Sequence, residues 1–199
     1  MPARSFVSNE QQATEYRTLG VLLQHDNGPR TQELVRKYNY TLEEHTVTTS
    51  DGYILGVHRI PHGRDAHNTP GDRPVVFLMH GLFFSSADFV LTGPGTAMAE
   101  EGFDVWIGNA RGNYYSRRHR RLNPDALLNT NFWDFSWEEI GNYDLPAMID
   151  YALAHTRKSA LHYVVLFIHC FPLCTQITNI LRFFSVHCFI SWYWRAFAE

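Results

Sequence analysis

Two stretches of the chain hold residue types that could do nucleophilic acyl-transfer chemistry. The first is Val75-Val76-Phe77-Leu78-Met79, which runs into His80-Gly81-Leu82. A glycine just past a strand has no Cβ, so a carbonyl can approach the backbone closely. The N–H of Leu82 can then point at the oxyanion that develops, with His80 and Gly81 shaping the turn. The second is LHYVVLFIHCFPLC, Leu161 to Cys174. It opens like a buried strand and places His169-Cys170 where a nucleophile on a sharp strand-to-helix turn would sit. No serine stands there, and no G-x-S-x-G occurs in the 199 residues.

Cys170 is a poor substitute nucleophile. The strained turn needs small residues two positions either side, and here they are Ile168 and Pro172, with no identifiable partner base. Ser185 and Ser191 have no such turn around them. Cys170-x3-Cys174 followed by His187-Cys188 has a faint metal-ligand rhythm, but the second pair is adjacent where a zinc finger needs about three to five residues between ligands. No metal is therefore assigned. The basic run Arg117-Arg118-His119-Arg120-Arg121 reads as a solvated loop, because the rest of the chain is not basic.

The elements that must position these groups follow from periodicity. Residues 1–30 read as a polar lead-in, and Thr31 to Tyr38 as a short helical turn. His45 to Thr49 and Tyr53 to Ile60 read as two β runs joined by Ser50-Asp51-Gly52, which is good hairpin chemistry. Residues 62–74 read as loop. Val75–Met79 and Phe103–Ile107 are continuous apolar runs, the pattern of strands covered on both faces. Between them Thr96 to Glu101 is expected to be helical, closed by Gly102. Asp144 is expected to cap a stronger helix whose apolar face is Leu145, Met148, Ile149 and Ala152. Leu161–Val165 is the third apolar run. Apolar strands alternating with helices predict an α/β domain with a mostly parallel sheet and flanking helices.

Composition narrows the class without naming a partner. The chain is 45% hydrophobic and 19% charged, which suits a globular domain, and its formal net charge of −3 gives no nucleic-acid signature. The first twenty residues hold no apolar run that could serve as a signal-peptide core. Asn39-Tyr40-Thr41 is a glycosylation sequon. Beyond Val165 the texture changes to an apolar, aromatic-rich tail, residues 165–199, in which Pro172, Gln176, Asn179 and Arg182 interrupt every candidate membrane span. Trp192-Tyr193-Trp194 would suit contact with a membrane surface.

Three long stretches then carry a resemblance: EEHTVTTSDGYILGVHRIP, FLMHGLFFSSADFVLTGPGTAMAEEGFDVWIGNARGNYYSRRH and FWDFSWEEIGNYDLPAMIDY. From about Thr31 to Val164 the sequence resembles the acid lipase family of gastric, lysosomal and insect lipases. The resemblance implies an α/β-hydrolase fold, a triacylglycerol or sterol ester substrate, a Ser–His–Asp triad and no cofactor. It implies an oxyanion-hole role for the Leu82 N–H, and scaffold roles for residues 108–117 and 132–139. Family members are typically secreted or lysosomal. They continue LHYV into a Gly-His-Ser-x-Gly elbow, and here Val164 is followed by Val165-Leu166-Phe167-Ile168. The expectation is an N-terminal part of the fold, incomplete after the nucleophile strand, inactive alone and poorly stable. The alternative is a non-catalytic protein that binds lipid or a membrane surface through residues 165–199; co-sedimentation with liposomes, lost on deleting those residues, would favour it.

Overall fold

The computed structural model describes residues 30–64, 71–81, 84–126 and 131–165. In chain order the elements are α1 (Thr31–Lys37), β1 (Glu43–Thr48), β2 (Tyr53–Ile60), β3 (Val75–Met79), α2 (Ser86–Leu91), α3 (Pro94–Glu100), β4 (Asp104–Gly108), β5 (Arg118–His119), the single turn α4 (Trp137–Glu139), α5 (Leu145–Thr156) and β6 (His162–Val165). A 3₁₀ turn, Asn131–Trp133, precedes α4, and a π-turn, Ile140–Asp144, joins α4 to α5.

The sheet is mixed, in the order β1-β2-β4-β3-β6, with β5 on β2. β3 runs parallel to β4 and β6, whereas β2 runs antiparallel to β1, β4 and β5. The sequence decides which is which. β3 and β4 are buried at every position, as strands between two helical layers must be. β1 alternates, with Val47 buried and Glu44, Thr46 and Thr48 exposed, as a strand with one wet face does. The β1–β2 turn places Gly52 at φ +105°, a backbone that favours glycine.

Successive residues feed two cores. Val76 and Leu78 of β3, with Val105 and Ile107 of β4, pack with Leu34 and Val35 of α1 and Phe89 and Val90 of α2. Phe77, Met79 and Trp106 face the other way, onto Leu145, Met148, Ile149 and Ala152 of α5 and onto Phe132, Trp133 and Phe135. The apolar stripe read for α5 is therefore its buried face.

Several boundaries differ from the sequence reading. The third helix starts two residues early, at Pro94, because a proline pre-set for φ near −65° suits the first turn. α2 went unread, although Ser85 and Asp88 form a reciprocal capping box at its start. The larger correction is Asp144. It is not an N-cap: its backbone is helical (φ −69°, ψ −53°) and its side chain caps nothing. The helical path has already begun at Ser136, whose capping box with Glu139 starts α4. The π-turn carries that path into α5 and frees the Asp144 carboxylate for another partner.

Candidate functional site

The carboxyl ends of β3, β4 and β6 lie side by side, the place where parallel α/β sheets build sites. Met79 pairs with Gly108 on one side and with Val165 on the other. The chain leaving β6 therefore starts beside the His80-Gly81 turn that follows β3. His80 and Gly81 are described, and Phe84 N–H donates to Gly81 O at 3.3 Å across the turn. Leu82, whose N–H is the oxyanion candidate, lies outside the described residues. So do Cys170, Cys174, Cys188, Ser185, Ser191 and the Trp192–Trp194 cluster.

His80 is locked as a neutral ring. Its Nδ1–H donates to Gly81 O at 2.8 Å, and its Nε2 accepts from Ala110 N–H at 3.0 Å and from Asn113 Nδ2 at 3.1 Å. Two donors aimed at Nε2 leave no room for a proton there, which fixes the tautomer. Burial pushes the ring's pKa down, against the pull of the Gly81 carbonyl. Both nitrogens are engaged, so His80 is a strut holding its turn to the loop after β4 and has no lone pair to offer a metal.

That loop, residues 109–116, is itself tied down. Asn109 Oδ1 accepts from Ser86 N–H and from Asn113 Nδ2, and its Nδ2 donates to Gly56 O at 3.1 Å. Asn113 Oδ1 accepts the N–H groups of Tyr115 and Ser116. Ser116 Oγ donates to Asn109 O at 2.8 Å. Gly112, at φ +83°, makes the turn, and Phe135 and Trp133 fill the space where a Cβ would lie.

Below the loop lies an ion network. Arg111 donates to Asp144 from its backbone N–H (2.8 Å), Nε (2.9 Å) and Nη2 (2.8 Å). Nη1 and Nη2 also reach Asp51, in the β1–β2 turn, at 2.7 and 3.1 Å. The guanidinium lies 3.9 Å from the Tyr53 ring centroid. Asp144 is fully buried, and burial pushes its carboxyl up to about 6 against the pull of Arg111. Residues 108–117 and 132–139, read as scaffold loops, meet where Phe135 and Trp133 pack on Gly112 and Arg111 lies over the Phe135 ring, and Arg111 ties the first of them to Asp144 ahead of α5.

One nucleophile–base pair occurs that sequence reading missed. Ser86 Oγ is 2.7 Å from His58 Nδ1, with Thr31 Oγ1 at 3.0 Å. Ser86 is fully buried and His58 is 3% exposed, so substrate cannot reach them, and Tyr115 OH completes the network through Thr31. It joins α1, β2 and α2 structurally. Asn39 stands exposed after α1, at φ +60°. The basic run is largely solvated, though Arg117 pairs with Asp125.

Residues 31–93 match the family model described as a partial alpha/beta-hydrolase lipase region. A Lipase 1 of Drosophila melanogaster is 46% identical over 160 residues, which is 78% of this chain and 34% of that protein. A gastric triacylglycerol lipase of Bos taurus is 44% identical over 66% of the chain and 34% of its own length. Over about two thirds of its length or more, the chain is therefore similar to the N-terminal part of gastric and insect lipases of the acid lipase type. Lipase lipl-1 of Caenorhabditis elegans is 42% identical over 74% and 38%. The chain thus spans about a third of the length of the curated lipases it matches. Among solved structures, a CIB-like hydrolase from Thermoplasma acidophilum has a TM-score of 0.49 at 12% identity, over 75% of this chain and 63% of that one.

Proposed function

We propose that residues 31–164 are the oxyanion-hole half of a lipid ester hydrolase acting on triacylglycerols or sterol esters, and that residues 165–199 depart from that plan. In this reading the Leu82 N–H stabilises the oxyanion of the tetrahedral intermediate. His80 and Gly81 hold the turn, and neither metal nor organic cofactor takes part. The observation that carries it is the neutral His80, pinned by Ala110 and Asn113 at the carboxyl end of β3, beside the exit of β6. The serine that would attack from that exit has no counterpart, since Val165 leads into Leu166-Phe167-Ile168 and no G-x-S-x-G occurs.

The 199-residue polypeptide is therefore expected not to turn over p-nitrophenyl esters and not to react with a phosphonate probe. Phosphonate-sensitive turnover by the purified chain would overturn this. The oxyanion assignment is tested in a chimera that joins residues 1–164 to the downstream part of a gastric lipase. The chimera should hydrolyse esters, and Leu82→Pro, which removes the N–H, should lower its kcat roughly 10²–10³-fold with little change in KM. An unchanged kcat would remove Leu82 from the mechanism. The reading as a non-catalytic lipid-surface protein rests on residues 165–199, of which only Val165 is described.

A further inference from the structure

We propose that Glu43, His45 and His155 form a zinc site that ties the edge strand β1 to the end of α5. Glu43 and His45 are two apart on β1 and so share a face, and His155 comes from the last turn of α5 packed against it. One ligand atom from each of the three lies within 4.8 Å of the others. His45 Nε2 and Glu43 Oε2 are 3.3 Å apart, the edge of a tetrahedron whose zinc–ligand bonds are about 2.0–2.1 Å. The His45 and His155 rings meet edge-on, with centroids 4.8 Å apart.

The surroundings suit a divalent cation. Tyr151 OH is 3.1 Å from His45 Nδ1, an outer-shell contact that orients the ring and leaves Nε2 facing Glu43. His155 is exposed, so it can swing inward by the ångström or so that closure requires, and a water can take the fourth position. The carbonyls ending α5 favour positive charge. Arg59 Nη1 also donates to Glu43 Oε2 at 2.8 Å, so that oxygen keeps the guanidinium on one lone pair and offers the ion its other. The site lies apart from the His80 turn. Arg111, in the loop that His80 pins, touches Asp144 before the first residue of α5, and His155 is at the other end, about 18 Å along a twelve-residue helix. Such an ion would be structural, holding an edge strand that otherwise has only β2 as its strand partner among the described residues.

The test uses the untagged full chain with Cys170→Ser, Cys174→Ser and Cys188→Ser, so that tail thiols cannot bind the metal. Titration against a chromophoric chelator should show one Zn²⁺ per chain, and Co²⁺ should give the visible absorption of a tetrahedral site. His155→Gln, at an exposed position, should weaken binding at least tenfold with unchanged far-UV circular dichroism. It should also abolish the zinc-induced rise in Tm. His162→Gln, at another exposed histidine, should leave the affinity unchanged. No stoichiometric binding by the thiol-free chain would overturn the proposal, as would equal affinity in the His155→Gln variant.

Discussion

Arg111 shows how one side chain can fix several loops at once. It is almost fully buried, and its donors are divided between Asp144, ahead of α5, and Asp51, in the hairpin turn. Arg111→Met would leave Asp144 buried without its cation, which costs about 3–5 kcal/mol. Urea unfolding should show that loss, and combining Arg111→Met with Asp144→Leu should restore much of it, because the only carboxylate then left without Arg111 is Asp51, which is open to solvent. The pairing was not legible in the sequence. Asp144 before Leu145-Pro146 has every local feature of a helix cap. What overrode it was a partner 33 residues upstream and a capping box eight residues upstream at Ser136.

At the scale of elements, Gly108 decides how closely α5 packs on the sheet. A Cβ there would meet Phe77 Cζ at 2.8 Å and Met148 Sδ at 3.1 Å. Gly108→Ala is therefore expected to lower stability by about 1–3 kcal/mol through overpacking. The thermal midpoint checks this, and Phe77→Leu in the same chain should relieve part of the penalty. The strands themselves were readable, because unbroken apolar runs such as Val75–Met79 have few alternatives to a buried strand. α2 was harder. Its six residues give under two turns of periodicity, and what stabilises it is its cap and its burial against α1.

At the scale of the molecule, buried ionisable groups pull stability in opposite directions with pH. Burial pushes His58 from 6.5 down to about 4. Between those values the unfolded chain binds a proton that the folded chain refuses, so stability falls as pH falls through this window, by roughly 3 kcal/mol in all. Asp144, raised from 3.8 to about 6, has the opposite sign: the folded chain takes up the proton first, and stability is gained as pH falls through its window. His80 and His45, both lowered by burial, side with His58. His58→Asn keeps a polar atom toward Ser86 and removes the titration. Comparing urea midpoints at about pH 7 and about pH 4.5, the variant should lose less on acidification than the parent. An equal loss would place the acid sensitivity elsewhere.

The sequence by itself determined the likeness to acid lipases, the α/β class and the absence of a G-x-S-x-G motif, because contiguous motifs and apolar periodicity are local properties of a chain. It also located the His80-Gly81-Leu82 turn. Only the tertiary structure decided what that turn rests on. Sheet register put Met79 between Gly108 and Val165, and packing brought Asn113 under His80, Asp144 onto Arg111, and His155 beside His45. Those contacts join residues 29 to 110 positions apart, and no spacing rule in a single sequence can express them.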